Sequence, residues 1–160
     1  MASPARASRA VRCGRILPYA IGCNFGAWRS SLEMIGGFDH TFTDGADDVA
    51  TSWRLQLAGM TLGHAPDALV AYRFRDTFRG AWDQSSRYGR NSVLLHLAFR
   101  DYGHARRSMR AFGSSVLGLV LFNPLVPRFV ARAPRGLWVS ETAFLVGRLR
   151  AAWKQRVFYV

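Results

Sequence analysis

Apolar positions recur with a helical period near the middle of the chain. Val49, Trp53 and Leu57 are spaced four residues apart and form one apolar face. The acidic pair Asp47-Asp48 precedes this face and Gly59 follows it. Acidic side chains favour the first turn of a helix, and glycine favours its end. The pattern predicts an amphipathic helix that begins at the acidic pair and ends at the glycine.

Two shorter elements are predicted before this helix. The apolar segment 16–23 favours a strand that is interrupted by Pro18. Ser30 and Glu33 have the spacing of a capping box, and Gly36-Gly37 supplies a helix stop. A helix of about two turns is therefore expected in front of the glycine pair.

Four elements are predicted after the helix that ends at Gly59. Segments 60–64 and 68–75 favour strands around a proline turn, since apolar residues alternate on one face of the second segment. A long helix is expected over 77–100, interrupted or bent near Gly89, and an amphipathic helix over 137–155. The apolar face predicted for this last helix comprises Trp138, Leu145, Leu149, Ala152 and Trp153, against Arg148, Arg150 and Lys154.

An uncharged apolar run, Ala111 to Pro127, lies between these two helices. Its 17 residues fall short of the roughly 20 that span a bilayer. An interfacial or re-entrant helix fits this length, and a buried core helix that meets no lipid is the alternative.

Charge is distributed unevenly along the 160 residues, which carry a formal net charge of +12. Residues 1–83 hold nine arginines and eight acids, whereas residues 84–160 hold thirteen basic residues and two acids. Arginines flank the apolar run on both sides, at positions 106, 107, 110, 128, 132 and 135. This combination favours an anionic membrane surface as partner. No nucleic-acid-binding motif accompanies the charge, so nucleic acid is not expected as a partner.

Composition and motifs exclude several other classes. A hydrophobic content of 49% predicts a folded domain, and two cysteines ten positions apart suggest neither a disulfide framework nor a zinc site. P-loop, dinucleotide-binding, serine-hydrolase and zinc-protease motifs are absent from the sequence. Residues 1–15 are basic without an apolar core, which predicts a tail or linker remnant rather than a secretory signal.

Three motifs follow one another in a recognisable order: Gly22-Cys-Asn24, then Gly36-Gly-Phe-Asp39, then Asp47-Asp48. This order resembles the acceptor half of an inverting family 2 glycosyltransferase of GT-A type. The resemblance implies an α/β fold, namely a partial GT-A fold followed by a basic, apolar helical tail. Residues 16–76 would form the acceptor side of the catalytic domain, and 77–160 a helical, membrane-associated region.

The resemblance also implies an activity for the acidic pair. Family members transfer a sugar from a nucleotide diphosphate sugar to a lipid-linked or polysaccharide acceptor, as in the synthesis of cell envelope polysaccharide. Asp48 would be the general base that takes the proton of the acceptor hydroxyl, and Asp47 its neighbour. The alternative is that both acids only complement the helix dipole.

Binding residues are implied in two further places. Asn24, Gly37 and Asp39 would line the acceptor and diphosphate pocket. The segment Gln84-Ser-Ser-Arg87-Tyr88 is similar to the Q-x-x-R-W signature of processive members, and its three polar and aromatic side chains suit a sugar chain or a diphosphate. A solvated polar helix face is the alternative for this segment.

Two departures from the family concern metal binding. The strand histidine of relatives is replaced here by Ala71 and Tyr72, and no D-x-D motif occurs in the sequence. The resemblance implies a Mn or Mg ion in a complete enzyme. Because these ligands are missing, no metal ligand or cofactor is expected in this chain alone. The chain would be inactive without its donor-binding half. The implied location is cytoplasmic, peripheral or re-entrant at the inner face of the cell membrane. A non-catalytic, membrane-associated remnant or interaction module is the alternative function.

Overall fold

The computed structural model describes residues 11–12, 17–42, 44–106, 108–124 and 134–159. The elements in chain order are β1 (Val11–Arg12), β2 (Pro18–Tyr19), α1 (Arg29–Met34), α2 (Asp47–Leu57), α3 (Phe78–Phe99), α4 (Met109–Leu121) and α5 (Arg135–Lys154). The chain divides into two compact units. The first unit is Met1–Arg73 with Phe99–His104, and the second unit is Phe74–Ala98 with Ala105–Val160.

The sheet of the first unit consists of two short strands. β1 pairs antiparallel with β2, with Val11 opposite Tyr19 and Arg12 opposite Pro18. β1 therefore lies within the segment predicted as a tail, most of which is outside the described residues. The strands predicted over 60–64 and 68–75 are wrong, because both segments are irregular and mostly exposed in the structure. A strand needs a neighbour for its backbone hydrogen bonds, and the described residues place none beside them.

The core of the first unit is built around α2. Trp53 is fully buried, and its ring meets Phe99 edge-on at 5.0 Å and His104 at 5.5 Å between ring centroids. Val49 is buried as predicted, but Leu57 is exposed at the end of the helix. The buried face of α2 is therefore displaced from the predicted one. It consists of Val49, Ala50, Thr51, Ser52, Trp53 and Leu55.

Glycines end both helices of the first unit, as the sequence predicts. Gly36 and Gly37 follow α1 with φ of 76° and 78°, and Gly59 follows α2 with φ of 90°. The predicted capping box is wrong: Trp28 is the N-cap residue of α1, and Ser30 lies inside the helix. Glu33 instead accepts a hydrogen bond from the Nε of Arg29 at 2.7 Å.

The second unit contains a very close contact between α3 and α5. A Cβ atom at Gly89 would lie 2.0 Å from the carbonyl oxygen of Phe144, and one at Gly147 would lie 2.0 Å from that of Ser86. The helix is not interrupted near Gly89, since α3 continues through this residue. The glycine is present because the backbone of α5 occupies the space that a side chain would fill.

Most of the buried residues of α5 are small. Its buried residues are Ala143, Gly147, Arg148, Ala151 and Ala152. The predicted apolar face is therefore wrong for Trp153, which is 88% exposed, and for Arg148, which is 2% exposed. Close helix approach requires short side chains at the contact, and this requirement outweighs hydrophobicity here.

α4 contains residues 111–121 of the apolar run. The hydroxyl of Ser108 caps its start by accepting from the N–H of Ala111 at 3.2 Å. None of its residues is buried, and Leu117 and Val120 are 56% and 62% exposed. No helix in the described part of the chain is long and apolar enough to cross a membrane. Residues 125–127 of the run lie outside the described residues, as do Arg107, Arg128 and Arg132.

Candidate functional site

Asp48 lies in the first turn of α2, where its carboxylate contacts the turn that follows β2. Its Oδ2 accepts a hydrogen bond from the N–H of Gly22 at 2.7 Å, and its Oδ1 accepts one from the N–H of Val49 at 2.8 Å. Each carboxylate oxygen has two lone-pair sites, so each can accept a further donor. The half-buried carboxylate can therefore accept a hydrogen bond, and then a proton, from a bound hydroxyl group.

The same face of α2 is hydrogen-bonded along its length to the segment that contains β2. Three further side chains of the helix hydrogen-bond to the backbone of residues 17–20. These bonds join Trp53 Nε1 to Leu17 O at 2.9 Å, Gln56 Nε2 to Pro18 O at 2.8 Å, and Ala20 N to Ser52 Oγ at 3.1 Å. Because Asp48, Ser52 and Gln56 are each one turn apart, the row fixes the rotation of the helix and hence the position of the carboxylate.

Gly22 allows the carboxylate of Asp48 to approach the backbone. A Cβ atom at residue 22 would lie 3.2 Å from the Cβ of Asp48 and 3.3 Å from its Oδ2. Sequence reasoning recognised Gly22 as part of a motif but missed this positioning role. Its signal was a glycine at the predicted strand end, although the partner 26 positions away in sequence could not be identified from spacing.

Asn24 connects this turn to a distant segment. Its Nδ2 donates to the carbonyl oxygen of Ala68 at 2.5 Å. The side chain is exposed, and its amide also carries an oxygen that can accept a hydrogen bond. Asn24 lies in the same turn as Gly22, and Gly22 contacts Asp48.

Gly37 and Asp39 lie in the turn after α1, and Arg54 of α2 holds this turn. The guanidinium of Arg54 donates to the carbonyl oxygen of Gly37 at 2.8 Å and also to that of Ile35. Asp39 accepts a hydrogen bond from the N–H of Thr41 at 2.8 Å. That bond, a second one to the side chain of Thr41 and the charge of Arg54 lower the pKa of Asp39. The turn therefore presents a stably ionised carboxylate.

The other sequence-predicted residues lie elsewhere on the chain. Asp47 is exposed at the first position of α2. Gln84, Arg87 and Tyr88 lie on α3 in the second unit, where Gln84 Nε2 donates to the hydroxyl of Tyr88 at 2.9 Å. Arg87 and Tyr88 are exposed. The structure thus joins Asp48 to Gly22, joins α2 to the turn that contains Gly37 and Asp39, and joins Gln84 to Tyr88.

In the described ranges of the chain, no group of three or more His, Cys, Asp or Glu side chains could hold a metal ion.

Comparisons with known proteins place the chain in a family. The family model described as "Glycosyl transferase family group 2" matches residues 5–153. Two curated relatives, both named pre-mycofactocin glycosyltransferase, come from Mycobacterium tuberculosis strains CDC 1551 / Oshkosh and ATCC 25618 / H37Rv. Each is 32% identical over 127 residues, which cover 72% of this chain and 26% of the relative. No solved structure matches the chain significantly. The chain belongs to the family 2 glycosyltransferases, a family of sugar-transferring proteins with a GT-A fold.

Proposed function

We propose that this chain supplies the acceptor side of an inverting sugar transfer from a nucleotide diphosphate sugar, with Asp48 as the general base. The observation that carries the proposal is the position of the Asp48 carboxylate. The N–H of Gly22 holds this carboxylate at the start of α2, and other side chains of α2 hydrogen-bond to the segment that contains β2. A helix N-terminus also favours negative charge at this point.

The reaction places a definite demand on this carboxylate. The oxygen of the acceptor hydroxyl attacks C1 of the donor sugar, and the bond from C1 to the departing diphosphate breaks. Attack from the face opposite the leaving group inverts the configuration at C1. The hydroxyl proton passes to Asp48, which later releases it to water. Asp47, exposed beside it, contributes negative charge but does not take the proton.

Donor binding is assigned to a part of the enzyme beyond these residues. The sequence has no D-x-D motif, and the described residues do not form a metal cluster. The match covers 26% of the length of the curated relatives. We therefore assign the Mn or Mg ion and the donor diphosphate to the remainder of a complete enzyme, and the acceptor pocket to Asn24, Gly37 and Asp39. Gln84, Arg87 and Tyr88 are proposed as further contacts to the sugar chain or diphosphate.

The acceptor is proposed to be a glycan or a lipid-linked molecule of the cell envelope. The exposed apolar face of α4 and the basic second half of the chain support a location beside lipid. A second candidate is an acceptor related to pre-mycofactocin, which the name of the 32% identical relatives favours.

A non-catalytic interaction module is the alternative function. The observation that favours it is that the hydrogen bond from Gly22 to Asp48 also serves the fold by fixing α2. Asp48 could then persist for structural reasons after donor binding had been lost. The two functions differ in whether an enzyme that contains this chain transfers sugar.

The transfer activity is tested on the full-length or reconstituted enzyme. With a panel of nucleotide diphosphate sugars, Mn or Mg and candidate acceptors, we expect release of nucleoside diphosphate that depends on the acceptor. The product should carry the sugar with inverted configuration at C1, measured by NMR. Absence of release with every donor and acceptor, from an enzyme shown to bind a donor, would contradict the proposal and favour the interaction module.

Membrane contact is proposed for α4 at the inner face of the cell membrane. Its exposed apolar residues include Leu117, Val120 and Leu121. Arg110 is exposed in the first turn of α4, and Arg135 is exposed at the start of α5. An apolar face inserts at the level of the headgroups, while nearby arginines attract anionic lipid. The enzyme would then be peripheral and cytoplasmic.

Vesicle sedimentation tests this contact. The chain should sediment with vesicles rich in anionic lipid, and high salt should weaken binding without abolishing it, because screening leaves the apolar contact intact. Release of all protein by salt would contradict insertion of α4. Equal binding to neutral and anionic vesicles would contradict the role of the arginines.

A further inference from the structure

A cleft of ≈ 420 Å³ lies between α4 and α5 in the second unit. Small-molecule sites commonly have volumes of about 300–1,000 Å³. The cleft contains none of the residues proposed for sugar transfer. It is lined by residues of α4 and α5 and by Phe122, which follows α4.

The lining of the cleft has a polar end and an apolar end. Trp138 Nε1 donates to the carbonyl oxygen of Leu119 at 2.8 Å, which places the end of α4 beside the start of α5. The other lining residues lie mostly before Leu119 on α4 and after Trp138 on α5, so the two helices run in opposite directions along the cleft. The hydroxyls of Ser114 and Ser115 both donate to the carbonyl oxygen of Ala111, at 3.0 Å and 2.9 Å, so Arg148 supplies the positive charge at one end of the cleft. The opposite end is formed by Leu119, Trp138, Leu137 and Phe122.

Arg148 gives the polar end its charge. The residue is 2% exposed, and its guanidinium lies 5.5 Å from the centroid of the Phe144 ring. A guanidinium has five N–H donors, can serve several acceptors at once and matches a carboxylate in a bidentate arrangement. Glu141 also lines the cleft, but it is exposed and lies seven residues earlier, about 10 Å along the helix axis. An anionic group is therefore favoured at the Arg148 end.

We infer that this cleft binds a monocarboxylate with a hydrocarbon tail. The carboxylate contacts Arg148, and the tail packs on the leucine and aromatic side chains of the apolar end. The burial of Arg148 selects a small anionic group, because a bulky headgroup would not reach the guanidinium. The site is separate from the sugar-transfer chemistry and holds whether or not the chain takes part in it.

Calorimetry with decanoate, below the concentration at which it forms micelles, tests the site. We expect decanoate to bind about tenfold or more tightly than decanol, since a charged hydrogen bond is lost with the alcohol. Decyltrimethylammonium, which has the same tail and the opposite charge, should show no saturable binding. Equal affinity for decanoate and decanol would overturn the inference.

Two glycines of α4 offer a matched pair of variants. A Cβ atom at Gly118 or at Gly113 would meet no atom within 4 Å, so both positions accept a larger side chain. Gly118 lines the cleft, whereas Gly113 is exposed and does not. Gly118→Leu fills the cleft and should weaken decanoate binding about tenfold or more, while Gly113→Leu should leave it within about twofold. Equal effects of the two variants would overturn the inference.

Arg148→Met provides an independent readout. It should abolish the preference for decanoate over decanol while the affinity for decanol persists, since the apolar end is unchanged. A preference that survives in this variant would contradict the role of Arg148. Circular dichroism checks that each variant folds. If Arg148→Met does not fold, the glycine pair and the three ligands still decide the question.

Discussion

Asp48→Asn is expected to lower the rate of sugar transfer by about 10²–10⁴-fold in the full-length or reconstituted enzyme, the range that general-base catalysis supplies. The substitution removes the proton acceptor and keeps the size of the side chain. The decrease should appear in kcat, because the base acts in the chemical step rather than in binding. Steady-state kinetics with saturating donor and acceptor measures it.

Donor affinity and stability serve as controls for this substitution. The side-chain oxygen of Asn can still accept the hydrogen bond that Gly22 donates to Asp48 at 2.7 Å, but its amide nitrogen cannot accept the bond that the N–H of Val49 donates to Oδ1. Donor affinity should therefore stay close to that of the parent enzyme, and stability should fall by only about 1 kcal/mol, the usual contribution of one hydrogen bond. A loss of activity accompanied by an equal loss of donor affinity, or by unfolding, would show that Asp48 acts through the structure.

Gly147→Ala is expected to destabilise the chain by about 3 kcal/mol or more, at or above the upper end of overpacking effects. The added methyl group would lie 2.0 Å from the carbonyl oxygen of Ser86. That oxygen belongs to the backbone of α3 and cannot move aside as a side-chain atom can. Urea denaturation followed by circular dichroism measures the change in the free energy of unfolding.

Gly136→Ala is the matched control in the same helix. Its added Cβ would meet no atom within 4 Å, and alanine is a better helix former than glycine by up to about 1 kcal/mol. We expect this variant to be as stable as the parent or slightly more stable. Similar urea midpoints for Gly136→Ala and Gly147→Ala would contradict the close contact between α3 and α5.

Helix positions were largely predictable from sequence, because local signals determine them. The acidic pair and Gly59 predicted the bounds of α2 to within two residues, and Gly36-Gly37 predicted the end of α1. Positive φ at these three glycines explains why the helices end there. The Ser30 capping box failed because its spacing is equally compatible with positions inside a helix, and Trp28 precedes α1 instead.

Packing was less predictable, because it depends on partners that are distant in sequence. Nothing local shows that Gly89 and Gly147 each face backbone of another helix, so the sequence predicts an interruption or bend near Gly89 and a solvated Arg148. Segment 68–75 has the alternation of a strand but no neighbour among the described residues. Propensity alone does not form a strand without a hydrogen-bonding partner.

Motifs in the sequence suggest the candidate residues of the site but not their contacts. Motif order identified Asp48 as the candidate base, whereas its bond to Gly22 appears only in the folded chain. Asn24 is expected from its motif to line a pocket, whereas the structure shows that its side chain donates to the carbonyl oxygen of Ala68. Such structural uses of polar side chains cannot be read from a motif, because they depend on the fold.

The most direct test of the central claim is a side-by-side measurement of Asp48→Asn and Asp47→Asn in single-turnover transfer with saturating donor. Both residues lie in the first turn of α2, so either substitution removes one charge from the same helix end. If Asp48 is the base, its variant should transfer sugar about 10²-fold or more slowly than the Asp47 variant. If both variants stay within about threefold of the parent, the acids only stabilise the helix end and the assignment of Asp48 as general base is wrong.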